Sequence, residues 1–375
     1  MTLDRRALLA AGTALLSGNG LVAAASDAAI KPTQNIGKRH RRIATEEAYA
    51  VPELVDGVRS GLQSGAKDAD TKFWAVLLGE NPWGKMVLRR LLDLEQERLA
   101  IMDQHGVDMH VLSITVPGPQ MFDSATGTRL ATVINDRLAE VITRHPQRFA
   151  GLAAVAPQDP QNAAKEIERA VTQLHLNGVI INSHTHDEYL DDPKFWPIFE
   201  AAAAHQAPIY LHPRAPSKMM LAPFEPYALE HAIWGYQAEA GLHAVRLVMS
   251  GVFDRFPNLK IVLGHMGEGV PYWFYRIDYM HRGASRFNWR PQLAKAPSEY
   301  FKSNFMITTS RMNWNPVLEF CVNVVGPDNI MFAVDYPYQE TPEAVRFMDA
   351  APLSEADRAK IYHGNAERVF RISNT

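Results

Sequence analysis

From Arg41 onward, short apolar runs alternate with longer helical patterns, and the alternation repeats eight times. The apolar runs are Ile43–Glu47, Met109–Ile114, Phe149–Ala156, Gly178–Asn182, Pro208–His212, Lys260–His265, Phe305–Thr308 and Ile330–Asp335. Between and after them lie helical patterns at Leu94–His105, Thr128–His145, Ala163–Leu176, Phe195–His205, Gly241–Asp254, Gly269–Met280, Pro316–Val325, Thr341–Ala350 and Ser354–Phe370. Strands alternating with helices in this way build a parallel sheet from βα units. Eight such units make a (β/α)8 TIM barrel with insertions. The competing architecture, an open doubly wound sheet, would favour a Gly-x-Gly-x-x-Gly turn after the first strand, and the sequence has none there.

Two connections exceed the length of ordinary linkers. Pro52–Asp93 follows the first strand and carries Phe73-Trp74, Pro82-Trp83 and Arg89-Arg90. Pro213–Glu230 follows the fifth and carries Met219-Met220, Phe224 and Tyr227. Long connections in a compact domain are usually lids or interface elements, and both would sit at the C-terminal face of a barrel, where active sites lie. Their aromatic and Met content suits either a substrate lid or a contact between subunits.

The 375 residues carry 38 Lys and Arg against 41 Asp and Glu, a formal net charge of −3, with 47% hydrophobic residues. That balance offers no basic surface for nucleic acid and no acidic tail. The single cysteine, Cys321, excludes an internal disulfide and a cysteine-based zinc site; it lies in the apolar stretch Val317–Val325 and reads as core. At the N-terminus, Asp4-Arg5-Arg6 precedes the apolar segment Ala7–Leu16, and Ala23-Ala24-Ala25 follows. This pattern reads as a secretory signal of the twin-arginine type over residues 1–25, cleaved near Ala25, with periplasmic localisation. The alternatives are an uncleaved N-terminal anchor or a disordered leader, and for localisation the cytoplasm. The apolar segment is shorter than the ~20 residues that span a bilayer, so no stable membrane association is expected. Residues 26–40 read as a polar leader, and 41–375 as a single barrel domain.

Four strands end in groups that can bind metal or move protons. The first ends Thr45-Glu46-Glu47, the fifth Tyr210-Leu211-His212, the sixth Leu263-Gly264-His265 and the eighth Ala333-Val334-Asp335. In a barrel only strand C-termini converge, so four such endings form a constellation. Each has a structural alternative: Asp335 as a turn cap, His212 as a core histidine, Glu46 as an arginine partner. Two carboxylates with a neutral imidazole suit a divalent zinc or manganese ion with open positions for substrate. The His-x-His of Ser183-His184-Thr185-His186 lies beyond the fourth strand and reads as a pocket wall or loop anchor. His281, Trp289 and the basic segment Arg282–Arg290 read as a solvated face or subunit contact.

Ile43-Ala-Thr-Glu-Glu-Ala-Tyr49, Tyr210-Leu-His-Pro-Arg214, Leu263-Gly-His-Met-Gly-Glu-Gly-Val-Pro271 and Phe332-Ala-Val-Asp-Tyr-Pro337 together resemble the amidohydrolase-superfamily nonoxidative decarboxylases. That group includes the aminocarboxymuconate-semialdehyde, γ-resorcylate and 5-carboxyvanillate types. The likeness covers Arg41–Phe370, includes Arg98-Leu-Ala-Ile-Met-Asp-x-x-Gly-Val107 and Leu112-Ser113, and is greatest to the 5-carboxyvanillate type. The resemblance implies Glu46, His212 and Asp335 as ligands of one divalent metal ion. It implies His265 and Glu268 as catalytic groups beside the substrate carboxylate, and Arg98, Arg276 and Tyr338 as substrate-binding residues. Ala48 departs from members with a second first-strand ligand at that position. No lysine stands at a strand end for the carbamate of the two-metal hydrolases.

The reaction so implied is metal-dependent, nonoxidative loss of CO2 from a small hydroxylated aromatic carboxylate, with Asp335 protonating the ring carbon. Two other readings use nearly the same residues: a metal-dependent hydrolase of a lactone or amide, and a noncatalytic periplasmic binding protein. A homo-oligomer, dimer or tetramer, is expected.

Overall fold

The computed structural model describes residues 39–65 and 70–373. The signal-peptide and leader readings on residues 1–38 lie outside the described residues. Eight strands follow one another around a single parallel sheet: β1 Ile43–Tyr49, β2 Met109–Ile114, β3 Phe149–Ala154, β4 Gly178–Asn182, β5 Ile209–His212, β6 Ile261–Leu263, β7 Phe305–Thr308 and β8 Ile330–Met331. Every neighbouring pair is parallel, from β1 on β2 to β7 on β8. The sequence expectation of a (β/α)8 barrel holds. Seven strands are buried along their whole length, and β5 is buried up to His212, whose side chain is 16% exposed. That explains why they read as continuous apolar runs instead of alternating ones.

Three departures from expectation bear on the site. The eighth ladder stops at Met331, four residues before Asp335. Phe332 then donates its N–H to Ile361 O (2.8 Å), and Asp335 itself sits at φ 71°, a conformation no strand accommodates. The barrel is therefore closed beyond the ladder by β1: Thr45 N donates to Phe332 O (3.1 Å) and Ala48 N to Tyr336 O (2.8 Å). The sixth strand is likewise shorter than expected. It ends at Leu263, and His265, Met266, Gly267 and Glu268 all adopt positive φ. Finally, the long connection after β1 is helical, with helices Pro52–Gln63, Asp70–Leu77 and Pro82–Leu92. Proline at the first helical position starts two of them, and Asn81 caps the last by accepting from Gly84 N (2.6 Å). The connection after β5 holds only a short turn of helix, Lys218–Leu221, and a 3-10 turn, Glu225–Tyr227.

A buried ion pair ties the two insertions together. Arg214 donates from Nε to Asp70 Oδ2 (2.9 Å), and Ala215 N donates to Asp70 Oδ1 (3.1 Å); both charged side chains are at most 1% exposed. Among the described residues, no helix is long and apolar enough to cross a membrane.

Candidate metal centre and active-site cavity

Two adjacent glutamates in the middle of β1, which runs two residues past the expected end at Glu47, are both buried, Glu46 at 2% exposure and Glu47 at 0%. The β1–β2 register shifts between Ala44 and Glu47, a bulge that re-aims side chains where a regular strand would only alternate them. Glu46 turns toward His212 and His265: its Oε1 lies 3.6 Å from His212 Nε2 and 3.7 Å from His265 Nε2. Its Oε2 accepts from Thr308 Oγ1 (2.8 Å) and from Ser310 Oγ. Gly264 is required by this approach, because a Cβ there would lie 2.9 Å from Glu46 Oε1.

Glu46, His212 and Asp335 each offer one ligand atom within 4.8 Å of the other two. Ligands at about 2.0–2.2 Å from one ion stand roughly 3–4.4 Å apart, so a small inward movement completes the set. The donor chemistry fits as well. The buried Glu46 Oε1 has no protein hydrogen-bond partner among the described residues, as expected of an atom reserved for another group. Burial, together with the neighbouring His265, lowers His212 to about 4 against the pull of Glu46, keeping the imidazole neutral as a ligand must be. Burial works to raise the Glu46 carboxyl, but His265, His212 and the Ser310 hydroxyl outweigh it and hold the group below the ordinary carboxylate range.

His265 follows Gly264 directly. Its backbone N–H is held by Ser310 Oγ (3.1 Å) and its Nδ1 by Glu268 Oε1 (2.7 Å). Burial would lower this histidine, yet the carboxylates of Glu268, Glu46 and Asp335 raise it to about 10, so it is an imidazolium. Asp335 is raised to about 7, chiefly by burial, with Arg311 opposing. Arg311 Nε stands 3.0 Å from Asp335 Oδ2, and its Nη2 donates to Tyr338 O (2.8 Å).

These groups open onto a cavity of about 910 Å³ lined by His212, His265, Glu268, Asp335, Arg276, Arg311 and Tyr338. Its outer wall is apolar: Phe73 and Trp83 come from the first insertion, and Leu242, Val245 and Ile277 from later helices. Phe73 packs against Tyr338 (5.8 Å between centroids), and the Tyr338 hydroxyl meets Thr115 Oγ1 at 2.5 Å.

Of the residues singled out from sequence, the fold brings Glu46, His212, His265, Glu268, Asp335, Arg276 and Tyr338 to one place. Arg98 is not there. It is fully buried, does not line the cavity, and donates to Ala48 O (2.6 Å) and Asp93 O (3.4 Å) while lying over the Tyr336 ring at 4.6 Å. His184 anchors a loop, with its Nε2 on Ala215 O (3.0 Å) and its Nδ1 accepting from Asp187 N (3.2 Å). Sequence reasoning missed the run Thr308-Thr309-Ser310-Arg311 at the end of β7. Thr308 and Ser310 hold Glu46, Thr309 exchanges hydrogen bonds with Ala333, and Arg311 meets Asp335. The available signal was three hydroxyls and a cation directly after an apolar strand.

The barrel, the one ligand cluster among the described residues and the acid–base pair beside it define a metal-dependent (β/α)8 enzyme. The chain belongs to the amidohydrolase family, whose model matches residues 68–372. It is 36% identical over 345 residues to γ-resorcylate decarboxylase of Polaromonas sp. strain JS666, covering 88% of this chain and 99% of that one. Among solved structures, 5-carboxyvanillate decarboxylase from Sphingomonas paucimobilis superposes with a TM-score of 0.86 at 51% identity, covering 89% of this chain and 100% of the other. The corresponding enzyme from Novosphingobium aromaticivorans, complexed with manganese and 4-hydroxy-3-methoxy-5-nitrobenzoic acid, gives 0.86 at 40% identity over 88% and 96% of the two chains.

Proposed function

We propose that this protein is a carboxy-lyase that removes CO2, without oxidation, from a hydroxylated aromatic carboxylate of the 5-carboxyvanillate or γ-resorcylate kind. The observation that carries the reading is the convergence of Glu46, His212 and Asp335 within 4.8 Å of one another, with Asp335 at the wall of a largely apolar cavity that His265 and Glu268 also line. Glu46, His212 and Asp335 would hold one divalent ion, manganese as in the relatives' structures or zinc, and that ion would supply positive charge to a phenolic oxygen ortho to the carboxylate.

The protein's own groups do the rest. Asp335 delivers its proton to the ring carbon that bears the carboxylate. The bond from that carbon to the carboxylate then breaks, its electron pair restores the aromatic ring, and CO2 leaves. His265, held by Glu268, keeps the carboxylate in place until that step. Arg276 and Arg311 hold anionic oxygens of the substrate, a task in which the planar guanidinium surpasses lysine. Tyr338 binds a ring substituent, and Phe73 and Trp83 cover the ring and exclude water.

A homo-oligomer fits the exposed aromatics Tyr272, Tyr275 and Tyr279, which stand outside the cavity lining. Periplasmic export rests on residues 1–25 alone, and N-terminal sequencing of protein purified from the periplasm tests it. The functional test combines metal-stripped protein, manganese or zinc add-back, and a panel of ortho-hydroxylated benzoates and lactones. CO2 release that depends on metal and is abolished in Asp335→Asn supports decarboxylation. Acid release from a lactone, or full activity in Asp335→Asn, overturns it.

A further inference from the structure

Asp335 has no regular strand on its own side to hold it, since β8 ends at Met331. What holds it is Glu47. This carboxylate takes Val334 N–H on Oε1 (2.9 Å) and Tyr336 N–H on Oε2 (3.1 Å), the two amides that flank Asp335. Between them Asp335 adopts φ 71°, a left-handed conformation that a non-glycine residue keeps only where the surroundings impose it. Glu47 is fully buried, and its neighbour Ala48 is tied to the same segment through Tyr336 O. Arg98 clamps the other side of this seam, with Nη2 on Ala48 O and its guanidinium over the Tyr336 ring.

The geometry points to Glu47 as the positioning residue of the active site: its two oxygens bracket the backbone on either side of Asp335 and so set where the Asp335 carboxylate stands. The inference rests on reading Asp335 as a metal ligand and proton donor. It also gives the pair Glu46-Glu47 two separate jobs, one side chain facing the ligand cluster and the other fixing the segment after β8 that supplies a second ligand. Glutamine at 47 keeps one acceptor and turns an NH2 group toward one of the two amides. Aspartate is one methylene too short to span both.

The test compares Glu47→Gln and Glu47→Asp with Thr45→Val, which removes the Thr45 Oγ1 to Phe332 O bond (2.9 Å) at the same buried seam without touching Asp335's neighbours. Three quantities are read: amide exchange of residues 332–338 by mass spectrometry, manganese dissociation constant, and the split between kcat and KM for CO2 release. Both Glu47 variants should exchange residues 332–338 more than tenfold faster, bind manganese about 10–100-fold more weakly, and lose kcat with KM nearly unchanged. Thr45→Val should lose thermal stability while keeping manganese affinity and kcat. Unchanged exchange in the Glu47 variants, faster exchange with wild-type manganese affinity, or an equal loss in Thr45→Val each overturns the proposal. Amide exchange needs neither metal nor turnover. If the wild-type protein bound no manganese or released no CO2, the functional reading would fall while exchange would still decide whether Glu47 brackets Asp335; a Glu47 variant too unstable to purify leaves the other to decide.

Discussion

Replacing Asp70 with asparagine should cost far more than a surface charge change, because it strands the Arg214 guanidinium in the interior. Both side chains are at most 1% exposed and joined at 2.9 Å, and Asp70 also receives Ala215 N. Removing one partner of a buried pair typically costs about 3–5 kcal/mol, since the remaining charge keeps its desolvation penalty and loses its compensation. Unfolding entropy near 2.1 cal/mol/K per residue, over the roughly 330 residues described, gives about 0.7 kcal/mol/K. On that scale the midpoint should fall by about 4–7 °C. The effect should reach the site from two directions. Arg214 lies two residues past His212, and Phe73, three residues past Asp70, is part of the cavity wall. Differential scanning calorimetry of Asp70→Asn, Arg214→Met and the double variant measures the coupling. The double variant should recover most of the loss, because it buries no unpaired charge. A shift below 1 °C in Asp70→Asn, or losses that simply add in the double variant, would refute the reasoning.

Arg98→Met should lower stability by about 2–3 kcal/mol through the lost bonds to Ala48 O and Asp93 O, and leave KM unchanged; a large rise in KM in steady-state assays would return Arg98 to the substrate. His243 is lowered to about 3 by burial, with His184 and Arg246 adding to the effect, and its Nε2 accepts from Leu190 N. Its folded value lies below its ordinary 6.5, so the unfolded chain takes up a proton that the native state refuses. The stability from this group is complete above pH 6.5 and declines by about 1.4 kcal/mol per unit as pH falls toward 3. His243→Gln, which cannot titrate, should flatten urea-measured stability over that window by the same slope. Tyr275→Glu, at an exposed aromatic outside the cavity lining, should reduce the sedimenting species to a monomer if that surface joins two copies.

The strand count, the order and most of the constellation were legible because buried parallel strands are apolar throughout and barrel strands deliver their last residues to one face. What could not be read were contacts whose meaning depends on a bulge or a left-handed residue. Arg98 matched a sequence pattern, yet its guanidinium is spent on backbone carbonyls. Arg311 was not singled out from the sequence, yet its left-handed backbone (φ 53°) sets its side chain against Asp335. The bulge between Ala44 and Glu47 is likewise invisible in Thr45-Glu46-Glu47, so the sequence marked both acids without dividing their roles. The first insertion, read as a lid or a subunit contact, is helical because Pro52 and Pro82 open helices as readily as they break strands.

The run Thr308 to Arg311 has a consequence for how such barrels can recombine. Glu46 comes from the first half of the barrel, yet the hydroxyls that orient it come from β7, and the amides that flank Asp335 in the second half are held by Glu47 from the first. A chimera that joins β1–β4 of one relative to β5–β8 of another therefore exchanges each ligand away from its own support. Point substitution can tune this centre, but half-barrel shuffling between diverged parents disperses it, so lineages carrying it should pass it on as a single block.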